Sequence, residues 1–342
     1  MYDGFYLLNT LYKIKMQLPK EILEKAISLA ENFSKKELSQ KFKEVSERYR
    51  GEKIGKSLLN RDEEATAYAL SRMPATYAAV FSAMLQTLAT ITKEIELKTL
   101  LDIGAGTGAA TLAVAEQISV EKIICLERED AMINLGKNLF SSSNKKVVQE
   151  AEWKKLDLMQ DEVLETADIV VVSYMLNELD EMSRLQLVEK LWKQTNQILL
   201  IVEPGTPKDF QNMMRIKNFL IEKEAKIIAP CSQEKGCALP KEDWCHFLCR
   251  VERTKWQKDI KDASVPYEDE KFTYLAFSKQ EIGKTNHRVI RPPVFKTNFI
   301  EVKMCEEDKI VERTITKKEK EFYKKAKKVR VGECLVGEIK EE

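Results

Sequence analysis

Apolar residues recur at helical spacing through Ile22, Leu23, Ala26, Ile27 and Ala30, and the pattern stays helical to about residue 97. Ser34 with Glu37 three positions on has the form of a capping box and predicts the start of a second helix. The stretch 63–95 carries Met73-Pro74 in its first half. A proline removes a helix donor and crowds the preceding turn, so a break is expected there, with a new helix beginning at Pro74. After residue 97 short apolar runs alternate with amphipathic ones. Strands are expected near 99–103, 122–127, 146–150, 168–173, 197–202 and 225–228, with helices such as 108–117, 180–192 and 209–224 between them. Strand–helix alternation of this kind builds a parallel sheet. A further strand, 272–277, follows a longer polar interruption. From 288 the character changes again, to strands at 299–304 and 309–314 and then a basic helix from Thr316. The expected organisation is an N-terminal helical domain over 1–97, an α/β domain over 98–283, and a small β-rich C-terminal extension with a basic helix over 284–342.

The first α/β turn, LLDIGAGTGAATLAVAEQ, sets Gly104, Gly106 and Gly108 between a buried strand and an amphipathic helix, where the backbone has to turn sharply and approach a ligand. Asp102 precedes the loop and Ala105 lies inside it. Glu127 closes the next strand, ~20 residues on, where a carboxylate accepts both hydroxyls of a ribose. Asp157 follows the third strand, within reach of an adenine amine. The G-x-G-x-x-G spacing and a Walker lysine are both lacking. Strand, D-x-G-x-G-x-G and later acidic residue together resemble the class I S-adenosylmethionine-dependent methyltransferases, a Rossmann-like α/β fold; a Rossmann-like domain for another nucleotide is the alternative. The fourth strand, where this fold presents its chemistry, ends in SYMLNEL and lacks the Asp/Asn-Pro-Pro-aromatic motif that grips a base amine. Asn177 and Glu178 are the candidates for orienting a substrate group, with a helix cap before Asp180 as the structural alternative. Pro230-Cys231 follows a later strand than a cytosine C5 nucleophile would need. The sequence therefore argues for cofactor binding more strongly than for catalysis, and leaves enzymatic activity open.

Cys231, Cys237, Cys245 and Cys249 crowd into APCSQEKGCALPKEDWCHFLCR, with His246 beside the third and Cys305 at a distance. Thiolates at this density suit zinc or an iron–sulfur cluster. A zinc ribbon prefers C-x2-C pairs; none is present, which tilts the reading towards a four-iron cluster and leaves zinc as the alternative. The chain has 342 residues and seven cysteines, with 56 basic and 55 acidic side chains and a net charge of +1. That balance gives no global case for nucleic acid, so such a case has to rest on a local patch. No apolar run approaches the roughly 18–20 residues of a membrane span, and the first residues lack the form of a secretory leader. A cytoplasmic protein without membrane contact is expected, and thiols there serve metals or catalysis rather than a disulfide framework.

Further motifs lie outside the glycine loop: RMPATYAAV from Arg72, SYMLNEL from Ser173, VEPGTP from Val202, the APC…GC…WCHF block, and HRVIRPP from His287. In these the chain resembles the methyltransferase-like proteins of the mitochondrial small ribosomal subunit and their bacterial relatives. The resemblance reaches across most of the chain, and the cysteine block is its most specific part. It implies a role in assembly or maturation of the small ribosomal subunit, contact with its rRNA, and a 4Fe-4S cluster. Three cluster ligands carry over to Cys231, Cys237 and Cys245. The fourth matches Cys305, with Cys249 as the alternative.

The tail TKKEKEFYKKAKKVR is the local basic patch. Lys324, Lys325, Lys327 and Lys328 are its candidate phosphate contacts, with Arg288 and Arg291 upstream; each phosphate neutralised releases counterions. Phe322 and Tyr323 interrupt it and either stack on bases or pack inward. Three functions follow from the sequence: an assembly factor that binds S-adenosylmethionine, rRNA and the cluster, monomeric off the ribosome; an active rRNA methyltransferase; or a small-molecule methyltransferase with a zinc site.

Overall fold

The computed structural model describes residues 16–50, 61–160, 165–234 and 236–335. The expectation that the first residues form no secretory leader falls mostly on 1–15, outside the described residues. The chain forms two compact units. One holds the residues up to Leu85 with Glu96–Val202 and Cys249–Glu270; the other holds Gln86–Ile95, Glu203–Leu248 and the residues from Lys271 on. These units run across the boundaries expected at 97 and 283. The N-terminal helices share a unit with the glycine loop, and the C-terminal extension shares one with the cysteine segment.

In the first unit three helices come first: α1 (Lys20–Ala30), α2 (Lys35–Arg50) and the first part of α3 (Asp62–Leu88). Glu37 donates its backbone N–H to Ser34 Oγ at 3.2 Å, as the capping signal predicts. The break expected at Pro74 is absent, and α3 runs straight through it. A mid-helix proline costs about 3 kcal/mol. Leu70, Met73, Ala75 and Ala78 around it are all buried, and each large apolar side chain so placed contributes roughly 1.5–3 kcal/mol, so packing outweighs the lost backbone bond.

The sheet follows as β1 (Thr99–Ile103), β2 (Lys122–Glu127), β3 (Glu152–Lys155), β4 (Ala167–Ser173) and β5 (Thr195–Pro204). These five lie side by side in the order β3-β2-β1-β4-β5, all parallel. Helices α4 (Ala109–Ala115), α5 (Asp130–Phe140), α6 (Lys146–Gln149) and α7 (Glu181–Gln194) connect them. The strand expected at 146–150 is the helical turn α6, and β3 begins two residues beyond that range. Val147 and Val148 satisfy one turn of helix as well as they would a strand, and Val148 is buried there. The chain order reverses between β1 and β4. That reversal opens a crevice at their C-terminal ends, where open α/β sheets bind ligands.

In the second unit α8 (Pro207–Glu222) starts at Thr206, whose Oγ1 accepts from the Asp209 N–H at 3.1 Å, with Pro207 at the first helical position. The strand β6 (Lys226–Ala229) runs antiparallel to the end of β8 (Tyr267–Ser278). Between these in sequence come β7 (Phe247–Glu252), which lies in the first unit from Cys249 on, and α9 (Lys255–Lys261), which lies wholly in the first unit. The C-terminal extension is a four-stranded antiparallel sheet. It contains β9 (Arg288–Val289), β10 (Val294–Phe295), β11 (Phe299–Glu306) and β12 (Lys309–Thr316), with α10 (Lys320–Ala326) after it. Val289, Ile300, Val302, Met304, Ile315 and Ala326 form its core, and Phe322 and Tyr323 pack against that core. Among the described residues no helix is long and apolar enough to cross a membrane.

Gly108 caps α4 in the left-handed conformation, at φ +85°, and a Cβ there would stand 2.3 Å from the Phe140 ring. Gly108→Ala is therefore expected to destabilise the protein by about 3 kcal/mol, from left-handed strain and overpacking together. Urea unfolding monitored by circular dichroism checks this, and a midpoint equal to wild type refutes it.

Candidate functional site

The crevice at β1 and β4 holds a cavity of ≈ 150 Å³, lined by Gly104, Gly106, Glu127, Asp157 and Glu178 together with Tyr68, Met132, Leu156, Tyr174 and Met175. Four of the seven expected cofactor residues thus face one space. The other three build the loop behind it. Asp102 is fully buried; its Oδ2 accepts from the Thr111 N–H (3.0 Å) and hydroxyl (2.6 Å), which ties the end of β1 to α4. Its Oδ1 has no partner among the described residues. Ala105 donates its N–H to the Leu126 carbonyl at 2.9 Å, and Gly108 starts α4. Gly106, at φ +57°, has open space in front of its α-carbon except for Met132 at 3.4 Å.

Glu127 is held from three sides. Its Oε2 accepts from Gly106 N–H at 2.8 Å, and its Oε1 accepts from Arg128 N–H (2.7 Å) and Glu129 N–H (2.9 Å). These bonds favour the charged carboxylate, yet burial dominates and raises its pKa above the usual range. The oriented carboxylate, the open glycine backbone, the acidic Asp157 and Glu178 and the Tyr68, Met132 and Leu156 side chains fit a purine nucleoside with a cationic tail, the chemistry of S-adenosylmethionine. When bound, that cofactor supplies an electrophilic methyl group.

Asn177 and Glu178 lie in a 3₁₀ turn after β4, while the cap of α7 is Asp180, whose Oδ1 accepts from Ser183 N–H at 3.0 Å. Of the two catalytic candidates only Glu178 lines the cavity. Burial pushes its pKa up to about 7; Arg128 pulls it down and Glu127 pushes it up further. Burial likewise takes Asp102 up to about 6, against the Thr111 bonds.

A polar triad beside the cavity has no counterpart among the residues expected from sequence. Tyr174 stands directly after β4 at φ +55°, a conformation that is strained for a bulky residue. Its hydroxyl donates to Glu270 Oε1 at 2.9 Å, and the same oxygen takes Arg72 at 3.1 Å. Arg72 opens the RMPATYAAV motif and Tyr174 sits in SYMLNEL, so both motifs flag the triad without revealing its geometry.

The cysteines form a second site. Cys231, Cys237, Cys245 and Cys305 line one cavity with Tyr274 and Arg288. Ser232 draws the distant thiol in: its hydroxyl lies 3.4 Å from Cys305 Sγ and donates to the Glu307 carbonyl at 3.1 Å. In the WCHF block, Trp244 Nε1 donates to the Gly205 carbonyl at 3.0 Å, and Phe247 packs on Phe272 and Tyr274. Cys249 does not line the cavity. It is buried on β7, 3.9 Å from the Glu270 carbonyl. Burial raises the thiol pKa values at Cys231, Cys237 and Cys245, while Lys217 and Arg288 pull Cys231 back. Among the described residues no group of three or more His, Cys, Asp or Glu side chains is placed to hold a metal ion. By its chemistry, four thiols lining one cavity, the donor set is of the type that iron–sulfur clusters take.

The basic residues divide. Arg288 is corrected: it is 1 % exposed and makes its hydrogen bonds inside the fold, so it presents no charge to a partner's surface. Arg291 is half-buried and pairs with Asp243. Lys324, Lys327 and Lys328 are exposed on and after α10, with Lys324 2.8 Å from Glu321 and Lys327 over the Tyr323 ring, and Lys325 is half-buried. The helix expected from Thr316 begins at Lys320, because β12 extends to Thr316.

Parallel strands in the order β3-β2-β1-β4-β5, with an acid-flanked glycine loop at the reversal, define a class I methyltransferase fold. The sequence profile of the family described as Mitochondrial small ribosomal subunit Rsm22 matches residues 62–336, and the chain belongs to that family. It is similar to the human mitochondrial ribosome assembly protein METTL17, at 24% identity over 228 residues, which is 61% of this chain and 48% of that protein. The chain thus spans about half the length of the curated relative it matches. Among solved structures it is similar to magnesium protoporphyrin IX methyltransferase from Synechocystis PCC 6803 (11% identity, 68% of this chain and 90% of that one, TM-score 0.39). Another is the N-methyltransferase NodS from Bradyrhizobium japonicum WM9 (12%, 62% and 91%, TM-score 0.40).

Asp102 and Glu178 bind protons more firmly in the fold than in the unfolded chain, where carboxyls titrate near ~4. Their contribution to stability is full below that range and fades as pH rises through about 6 and about 7. The urea midpoint of wild type should fall between pH 5 and pH 8, and Glu178→Gln should fall less. Parallel curves for the two proteins would refute the Glu178 assignment.

Proposed function

We propose that the chain is an assembly factor of the small ribosomal subunit that binds S-adenosylmethionine at the glycine loop, a 4Fe-4S cluster at the four cysteines, and rRNA through its basic tail. The observation that carries this reading is the convergence of Cys231, Cys237, Cys245 and Cys305 on one cavity in a chain of the Rsm22 family. The cluster's part is structural: it cross-links the cysteine segment to β11 of the same unit. Ligand binding of that sort contributes folding free energy directly. Glu127 anchors the cofactor's ribose, and Tyr68, Met132 and Leu156 cover its base. The exposed lysines of α10 and the turn after it meet phosphate.

A second reading, active rRNA methylation, is favoured by one observation: Glu178 lines the cofactor cavity with a pKa of about 7, suited to taking a proton from an acceptor amine at neutral pH. Methyl transfer from labelled cofactor to small-subunit rRNA, lost in Glu178→Gln, separates it from the first reading.

Anaerobic purification with iron and sulfide analysis tests the cluster. Wild type should carry about four irons. Cys305→Ser should lose the cluster and much of its soluble yield, while Cys249→Ser keeps both; about one zinc per chain in place of iron would refute the assignment. Replacing Lys324, Lys325, Lys327 and Lys328 by Gln should weaken rRNA binding and reduce its salt slope by ~0.7–0.9 for every phosphate left without its lysine. Filter binding across a salt series reads the slope, and an unchanged slope returns the tail to a solvated surface.

A further inference from the structure

Two cations are buried around the four-cysteine cavity, and among the described residues neither meets a carboxylate. Lys217, on α8, is fully buried, and its ammonium donates a hydrogen bond to the Gly236 carbonyl at 2.9 Å. Arg288 lines the cavity. Its guanidinium donates to Gln86 Oε1 (3.1 Å), Thr285 Oγ1 (2.8 Å) and the Gly332 carbonyl, all neutral acceptors. Its Nε–H has no partner among the described residues. Arg288 also stands directly opposite Cys305 in the β9–β11 pairing and bridges Cys334.

A cation removed from water is costly unless an anion meets it. No carboxylate is among the described residues that line the cavity; its ionisable groups besides Arg288 are four thiols and the Tyr274 phenol. Four thiolates outnumber the positive charge of the metal core they hold, so a centre of this kind is anionic.

We propose that Lys217 and Arg288 are the built-in counter-charges of an anionic metal–thiolate centre at this cavity, positioning residues that hold the centre and set its reduction potential. The inference rests on the cluster reading above and adds to it residues that touch no metal. It has a consequence of opposite sign in the two states. In the empty protein the Lys217 charge is uncompensated and destabilises the fold; in the loaded protein the same charge is stabilising.

The test compares wild type with Lys217→Met, Arg288→Gln and the charge-keeping Arg288→Lys, each reconstituted with iron and sulfide. The Gly236 carbonyl that Lys217→Met releases belongs to an exposed residue and is free to bond water. Metal-free Lys217→Met should melt above metal-free wild type, and loaded Lys217→Met below loaded wild type. Lys217→Met and Arg288→Gln should lower the midpoint potential of the loaded centre, since electron uptake there loses a nearby positive charge, while Arg288→Lys keeps it. Cluster loss to a chelator should be roughly tenfold faster in the neutral variants, the scale at which groups behind the ligands act on metal sites. Where loaded wild type forms but Lys217→Met is equally or less stable in both states, with unchanged potential, this inference fails and the cluster reading stands. A wild type that takes up no cluster overturns both.

Discussion

Arg288 is fully buried, and a guanidinium in that position has to be satisfied by whatever surrounds it. It takes acceptors from the end of α3 at Gln86, from Thr285 and from the turn at Gly332, segments that are far apart in sequence. A donor with a fixed fork geometry permits few arrangements of its acceptors, so this one residue fixes three stretches of the second unit at once. It also stands opposite Cys305 on β9. The cross-strand register brings Cys305 to the cavity, and the Ser232 hydroxyl joins β11 to the segment carrying Cys231.

The glycine-loop site and the cysteine site are legible in the sequence to different degrees, for a physical reason. Asp102, the three glycines and Glu127 fall within about one βαβ unit, whose geometry is nearly fixed by strand and helix periods. A local pattern therefore suffices to bring Glu127 to the glycine loop, while its bond to the Gly106 amide appears only in the structure. Tyr174, Glu270 and Arg72 come together only through tertiary folding, and periodicity carries no trace of that contact. The cysteine spacing suggests metal chemistry but does not rank the candidate ligands. Yet FLCRVE alternates buried and exposed positions along β7, which puts Cys249 on the same inward face as Phe247 and Val251. That alternation is readable in the sequence and marks Cys249 as a core residue.

The elements that differ from expectation share one cause: local signals overridden by burial. Pro74 breaks helices in isolation, but its neighbours are packed too well to let the chain turn. Val147 and Val148 look like a strand, while the strand itself, β3, is a polar edge whose residues are largely exposed and gives no apolar signal. Arg288 looks like part of a basic surface because charge is visible in a sequence and burial is not. In each case the residue's intrinsic preference is real, and the environment that decides its fate lies elsewhere in the chain.

The two sites differ in how complete they are as protein alone. At the glycine loop three backbone amides already satisfy and orient Glu127, so the cofactor cavity is preorganised, and little rearrangement energy stands between the free and bound forms. At the cysteine cavity the polar groups are out of balance: desolvation raises the thiol pKa values of Cys231, Cys237 and Cys245, and among the described residues the buried cations Lys217 and Arg288 are met by neutral oxygens. Low dielectric strengthens a matched charge and penalises an unmatched one in equal measure. A cavity so arranged gains more from its occupant than the ligand bonds alone supply, because binding also removes a penalty already present in the fold. On the proposed reading, the second unit is the part of the protein whose stability depends on being loaded, and the first unit is the part that binds reversibly.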